Sequence, residues 1–136
     1  MLKALLLSLL AFLGLAPGFD IASLPAPAGS RAGASAAERQ ALHALAQDVS
    51  GGGAIMESER LFQVGKDVPW AAIAKRIDNL ARQRGASPVA LPGADPGKKL
   101  AQAWRGRDGR GVLVAMLGSS RTGGAVAYFA VRFKDG

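Results

Sequence analysis

The sequence predicts an α+β fold: a two-layer sandwich of a four-stranded antiparallel sheet, in the order β-α-β-β-β, with one central helix packed across it and an additional N-terminal helix. Three observations predict it. The stretch Asp67–Gly85 places Trp70, Ile73, Ile77, Leu80 and Ala81 at three- and four-residue spacing, the signature of one apolar helical stripe. A strand-like run, Glu59–Val64, precedes that stripe. Three alternating runs follow it, and a broad stripe needs such a surface to bury against.

Totals set the frame. The chain has 136 residues, no cysteine, one histidine and a formal charge of +7. That length suits one domain. Without cysteine there are no disulfides, zinc–thiolate sites, iron–sulfur clusters or cysteine nucleophiles. From Lys75 onward there are twelve Lys/Arg against four Asp/Glu, so the basic charge belongs to the second half. A basic surface attracts nucleic acid, anionic lipid or acidic polymers without naming one.

Residues 1–28 read as a signal peptide and cleavage region. Lys3 supplies the positive start, and Ala4 to Leu15 is an apolar run of signal length, short for a membrane span. Ala16-Pro17-Gly18 and Ala26-Pro27-Ala28 are two small-residue sites for cutting. The expected location is therefore outside the cytoplasm, periplasmic or extracellular, with no membrane contact after signal removal. The alternative is anchoring by an uncleaved segment, since Phe19, Ile21 and Leu24 prolong the apolar character. Residues 29–53 read as a tether and the N-terminal helix. The Pro/Gly/Ala/Ser-rich stretch Gly18–Ala34 has the composition of a linker. Ser35-Ala36-Ala37-Glu38 is a capping box, and the helix it starts carries Leu42, Leu45, Ala46 and Val49 on one face until the glycines at 51–53.

Residues 54–136 form the expected α+β domain. Gly65-Lys66 turns the first strand into the central helix, where Asp67 is a candidate cap and Pro69 fits the first turn. Gly85 ends that helix. The following ASPVALPGADPGKK reads as a loop. Asp108-Gly109 reads as a two-residue hairpin turn, which would set Arg107 opposite Arg110 and Trp104 opposite Leu113. Trp104, Leu113, Ala115 and Leu117 would then face the central helix. Val112, Val114 and Met116, with Tyr128 and Arg132 of the last strand, would form an apolar outer face. That face awaits either the first helix or another molecule.

Familiar chemistries find little support. His43 has no second ligand at helical spacing, so no metal and no cofactor are expected. Gly118-Ser119-Ser120-Arg121 lacks the glycine pattern of a nucleophile elbow. Residues 93–99 superficially resemble a phosphate loop but end in Lys98-Lys99 with no helix behind them. Glu57 and Glu59, two apart on a strand, would lie roughly 6–7 Å apart, in range for two-carboxylate glycoside chemistry.

Two binding readings remain. The first is an exported, non-enzymatic module that binds a protein partner, or a second copy of itself, through Val112, Val114, Met116, Tyr128 and Arg132. The second is an anion-binding module for nucleic acid or acidic envelope polymer, using Lys98, Lys99, Arg105, Arg107, Arg110 and Arg121 around the hairpin. Salt separates them, because polyanion binding weakens steeply with ionic strength. An enzyme of unfamiliar type built on Glu57 and Glu59 is the third reading.

Overall fold

The computed structural model describes residues 19–93, 100–106, 108–118 and 123–134. The class is α+β, as expected, with one antiparallel sheet and two α-helices among the described residues. The described strands number six rather than four: β1 (Arg31–Ala32), β2 (Ala54–Val64), β3 (Ser87–Val89), β4 (Leu100–Arg105), β5 (Arg110–Leu117) and β6 (Gly124–Phe133). Their order across the sheet is β1-β2-β6-β5-β4-β3. The helices are α1 (Ala36–Ser50) and α2 (Trp70–Gln83).

The two extra strands are short and sit at the two edges. β3 falls in the stretch that composition reads as loop. Pro88 is acceptable there because an edge strand need not donate on its outer side. β1 pairs only with Phe62 and Gln63 of β2.

Local signals explain the helices. At the start of α1, Glu38 N–H donates to Ser35 Oγ (3.1 Å) and Ser35 N–H to Glu38 Oε1 (2.9 Å), the expected reciprocal cap. Gly51, at φ +60°, closes that helix. Pro69, not Asp67, is the N-cap of α2, and no side chain caps it. Gly85, at φ +77°, lets Ala86 N–H reach Ala81 O at 2.8 Å.

The β4–β5 hairpin departs from expectation by one residue. Gly106 N–H donates to Arg110 O (2.7 Å), so the pairing closes at Gly106 and Arg110 rather than directly around Asp108-Gly109. Asp108 Oδ1 accepts from Arg110 N–H (3.2 Å), and Gly109 takes φ +78°. Trp104 consequently pairs with Val112, and Leu113 with Ala103. A one-residue slip in register turns every side chain of one strand to the other face.

The sheet is therefore covered on both sides, in three layers. Beneath α2, Trp104, Val112, Val114, Met116, Val126, Tyr128 and Phe62 join Ile73, Ile77 and Ala81. Beneath α1, Ala103, Leu113, Ala115, Ala127, Phe129, Val131 and Phe133 join Leu42, Ala46 and Val49. Trp70 and Leu80 are only partly buried at the margin of α2.

A strap completes the α2 face. The segment that reads as a tether begins with a single 3-10 turn, Ile21–Ser23, capped by Asp20. Ile21 and Leu24 are buried in the core under α2, and Phe19 lies edge-on to Trp104 at 6.1 Å. Polar groups hold the strap. The Arg60 guanidinium donates to Ile21 O (2.6 Å) and Leu24 O (2.9 Å). Tyr128 donates to Pro25 O (3.0 Å), and Arg84 to Ser23 Oγ (2.7 Å).

Glycines mark the tight contacts. A Cβ at Gly111 would stand 1.9 Å from Trp104 O and 2.8 Å from Phe133 Cε2, whereas one at Gly109 meets open space. Strand propensity alone would let valine into position 111, and the packing forbids it.

Candidate functional site

Four basic residues, Arg105, Arg110, Arg132 and Lys134, gather at one end of the sheet, where β4 ends, β5 begins, β6 ends and β2 begins. Register brings them together. Arg105 pairs with Gly111, and Arg110 pairs with Arg132 across β5 and β6. Lys134 follows the last strand, and its N–H donates to Gly53 O beyond the end of α1 (3.0 Å).

Arg105 lies on the α1 side. Its guanidinium sits 4.8 Å from the centre of the Phe133 ring, a cation–π stack. The side chain rests there because Gly111 leaves room beside that ring. Arg110 and Arg132 lie on the α2 side and are exposed. Two like charges directly opposed on neighbouring strands repel. Arg132 relieves part of this by donating to Glu57 Oε2 at 2.8 Å. Lys98, Lys99, Arg107 and Arg121 lie outside the described residues, and the expected facing of Arg107 and Arg110 is not met, because Gly106 pairs with Arg110.

A cleft of about 230 Å³ opens at this end between the last turn of α1 and the β3–β4 connection. Val89, Leu91, Pro92, Ala54 and Phe133 give it apolar walls, and Ser50 stands at its edge. Among the described residues, its charged lining consists of Arg105 and Lys134, with no carboxylate. The connection is held close to α1 by Gly93 N–H donating to Val49 O (2.9 Å). A Cβ on Gly93 would be 2.4 Å from Asp48 O, so glycine permits this approach. Sequence reasoning found Arg105 by its charge. It missed Phe133 and Leu91 as cleft walls, because pairing across the sheet end carries no local signature.

The expected outer binding face does not lie open. Val112, Val114 and Tyr128 are at most 1% exposed, and Met116 is 7% exposed. The cause is the hairpin register, which turns this row under α2 and the strap instead of outward. Arg132 alone of that set is exposed.

The carboxylate pair is also separated. A bulge between Met56 and Ser58 interrupts the alternation of β2. Glu57 meets Arg132, while Glu59 accepts from Arg39 of α1 at 3.1 Å. The two serve different partners on opposite faces. His43 is half-buried, its ring edge-on to Phe129 at 5.8 Å. Among the described residues no three His, Cys, Asp or Glu side chains gather as metal ligands. No helix among them is long and apolar enough to cross a membrane.

Two titrations are displaced on the α2 face. Burial pushes the Tyr128 phenol up to about 12, against the opposing pull of Arg60 and Arg76. The Asp78 carboxyl is held below its usual value, first by the Arg82 hydrogen bond and then by Trp104 Nε1, which donates to it at 3.0 Å. Comparison with known proteins gives no match to a family, to a curated protein or to a solved structure.

Proposed function

We propose that the protein is an exported, non-enzymatic module that binds an acidic polymer chain at the basic end of its sheet. The opposition of Arg110 and Arg132 carries this reading. A cross-strand pair of exposed guanidinium groups costs stability on its own, and an anion bridging them offsets that cost. Arg105 and Lys134 extend the positive surface toward the cleft, whose apolar floor strengthens charge interactions at its rim. The export reading rests on Lys3 and the apolar run Ala4–Leu15.

Heparin is the probe, with affinity followed from low to high salt. Binding should weaken linearly on a log–log scale, because neutralising the polymer releases counterions. Arg110→Glu with Lys134→Glu should reduce heparin affinity by about tenfold or more at low salt. Both side chains are exposed, and Arg110→Glu replaces the repulsion with Arg132 by attraction, so the melting temperature should not fall. Heparin affinity that survives the double reversal overturns the proposal.

A protein partner remains the second reading, on a different surface. β1 covers only Phe62 and Gln63, so among the described residues no strand pairs with the outer side of β2 from Ala54 to Arg60. Ile55, on that stretch, is 47% exposed. An exposed strand edge is a template for strand addition. Self-association that disappears with Ile55→Lys would favour this reading over the first.

A further inference from the structure

We propose that the segment Phe19–Ala28 stays in the mature protein as a docked strap, and that leader removal takes place N-terminal to Phe19, not at Ala26-Pro27-Ala28. The inference rests on the export reading and sharpens it, since the sequence offers both sites. Composition favours neither decisively: one lies close behind the apolar run, and the other fits the small-x-small pattern better.

The fold distinguishes them. Ile21 and Leu24 are 7% and 3% exposed, inserted in the same core as Trp104 and Tyr128. Pro27 is buried as well. Arg60 spans the strap by donating to two of its carbonyls, and Tyr128 and Arg84 donate to two further oxygens of it. These acceptors are supplied in the order of the chain, by residues 21, 23, 24 and 25. The Arg60 guanidinium also lies over the Phe62 ring at 5.1 Å, so it is held inside the groove and not at its rim.

A cut beyond Ala28 would remove every one of these groups together. It would leave the Tyr128 hydroxyl and the Arg60 guanidinium facing an emptied apolar groove. Half-buried donors stripped of acceptors are costly, and exposed Trp104 and Tyr128 add apolar surface. A cut before Phe19 leaves the whole set intact. The segment therefore belongs to the domain in the chemical sense, although its composition is that of a linker.

The mass of the protein from its native source tests the boundary. A first residue between positions 17 and 19 supports the proposal. A first residue between 27 and 29 overturns it while leaving export standing, and an intact Met1 overturns leader removal and leaves the uncleaved anchor. A second arm compares chains starting at Phe19 and at Gly29. The shorter chain should melt lower by more than about 10 °C. Its tyrosinate titration, which reports the single tyrosine, should move down from about 12 toward the ordinary value of about 10. Ile21→Asp in the longer chain should shift both readings the same way without shortening anything. Equal melting and equal titration in all three chains would overturn the strap.

Discussion

The two faces of the sheet are covered by different means. Under α2 the strands present large side chains, Trp104, Tyr128 and Phe62 among them, and polar anchors fix how they are covered. Trp104 Nε1 donates to Asp78 of α2, and Tyr128 donates to Pro25 of the strap. Under α1 the strands present Ala103, Ala115, Ala125 and Ala127 between Leu113 and Phe129. Alanines let a helix settle close, and Ala46 on α1 meets them in kind. One face is specified by volume and hydrogen bonds, the other by the absence of volume. The same sheet should therefore respond oppositely to truncation and to enlargement on its two sides.

The largest effect should come from truncation under α2. Trp104→Ala removes a side chain that is fully buried and leaves the Asp78 hydrogen bond unmade. Chemical denaturation should show a loss of roughly 3–5 kcal/mol. A loss under about 1 kcal/mol would mean that α2 and the strap collapse onto the vacancy, and the contrast between faces would break.

Enlargement under α1 is the complementary test. Ala127 is fully buried between Phe129 and Ala125 on the close-packed side. Ala127→Leu should destabilise by roughly 1–3 kcal/mol, because the added methylenes must lift α1. An enlargement that leaves stability unchanged would show that α1 rests loosely, and the first helix would then be a detachable cover.

Much of this was legible in the chain, and the part that was not has one main cause. The Ser35–Glu38 cap, the Ile73–Ile77–Ala81 stripe and the alternation of β5 and β6 are local patterns, and each lies where it was read. The assignment of faces depended on the turn at Asp108-Gly109. That dipeptide suits a two-residue turn, yet Gly106 pairs with Arg110 and lengthens the loop by one. The slip exchanged the inner and outer rows of β5 relative to Trp104. Val112, Val114 and Met116 then passed from an apparent binding surface into the core. The strap was invisible for another reason. Its partners, Arg60, Arg84 and Tyr128, lie between 36 and 103 residues away in sequence. The basic end was half legible: the charge of Arg105 and Arg110 was plain, but the opposition of Arg110 to Arg132 needs the β5–β6 register.

The smallest effect at neutral pH sharpens the comparison most, because it reads a polar anchor under α2 by itself. Tyr128→Phe keeps the ring between Phe62 and the strap and removes only the hydrogen bond to Pro25 O. At pH 7 the loss should be about 0.5–1.5 kcal/mol. The pH dependence carries the distinctive sign. Burial holds the folded phenol up to about 12, while an unfolded tyrosine ionises near 10. Below pH 10 both states keep the proton, and the contribution is fully present. Between pH 10 and about 12 the unfolded chain releases its proton and the folded chain does not, so stability falls by up to about 1.4 kcal/mol per pH unit from this group. Above about 12 both states are ionised and the contribution is gone. The measurement is the difference in slope between the native chain and Tyr128→Phe, which isolates this group. A variant as steep as the native chain would mean that Tyr128 is open to water, and with it the strap would lose its seat over the α2 face.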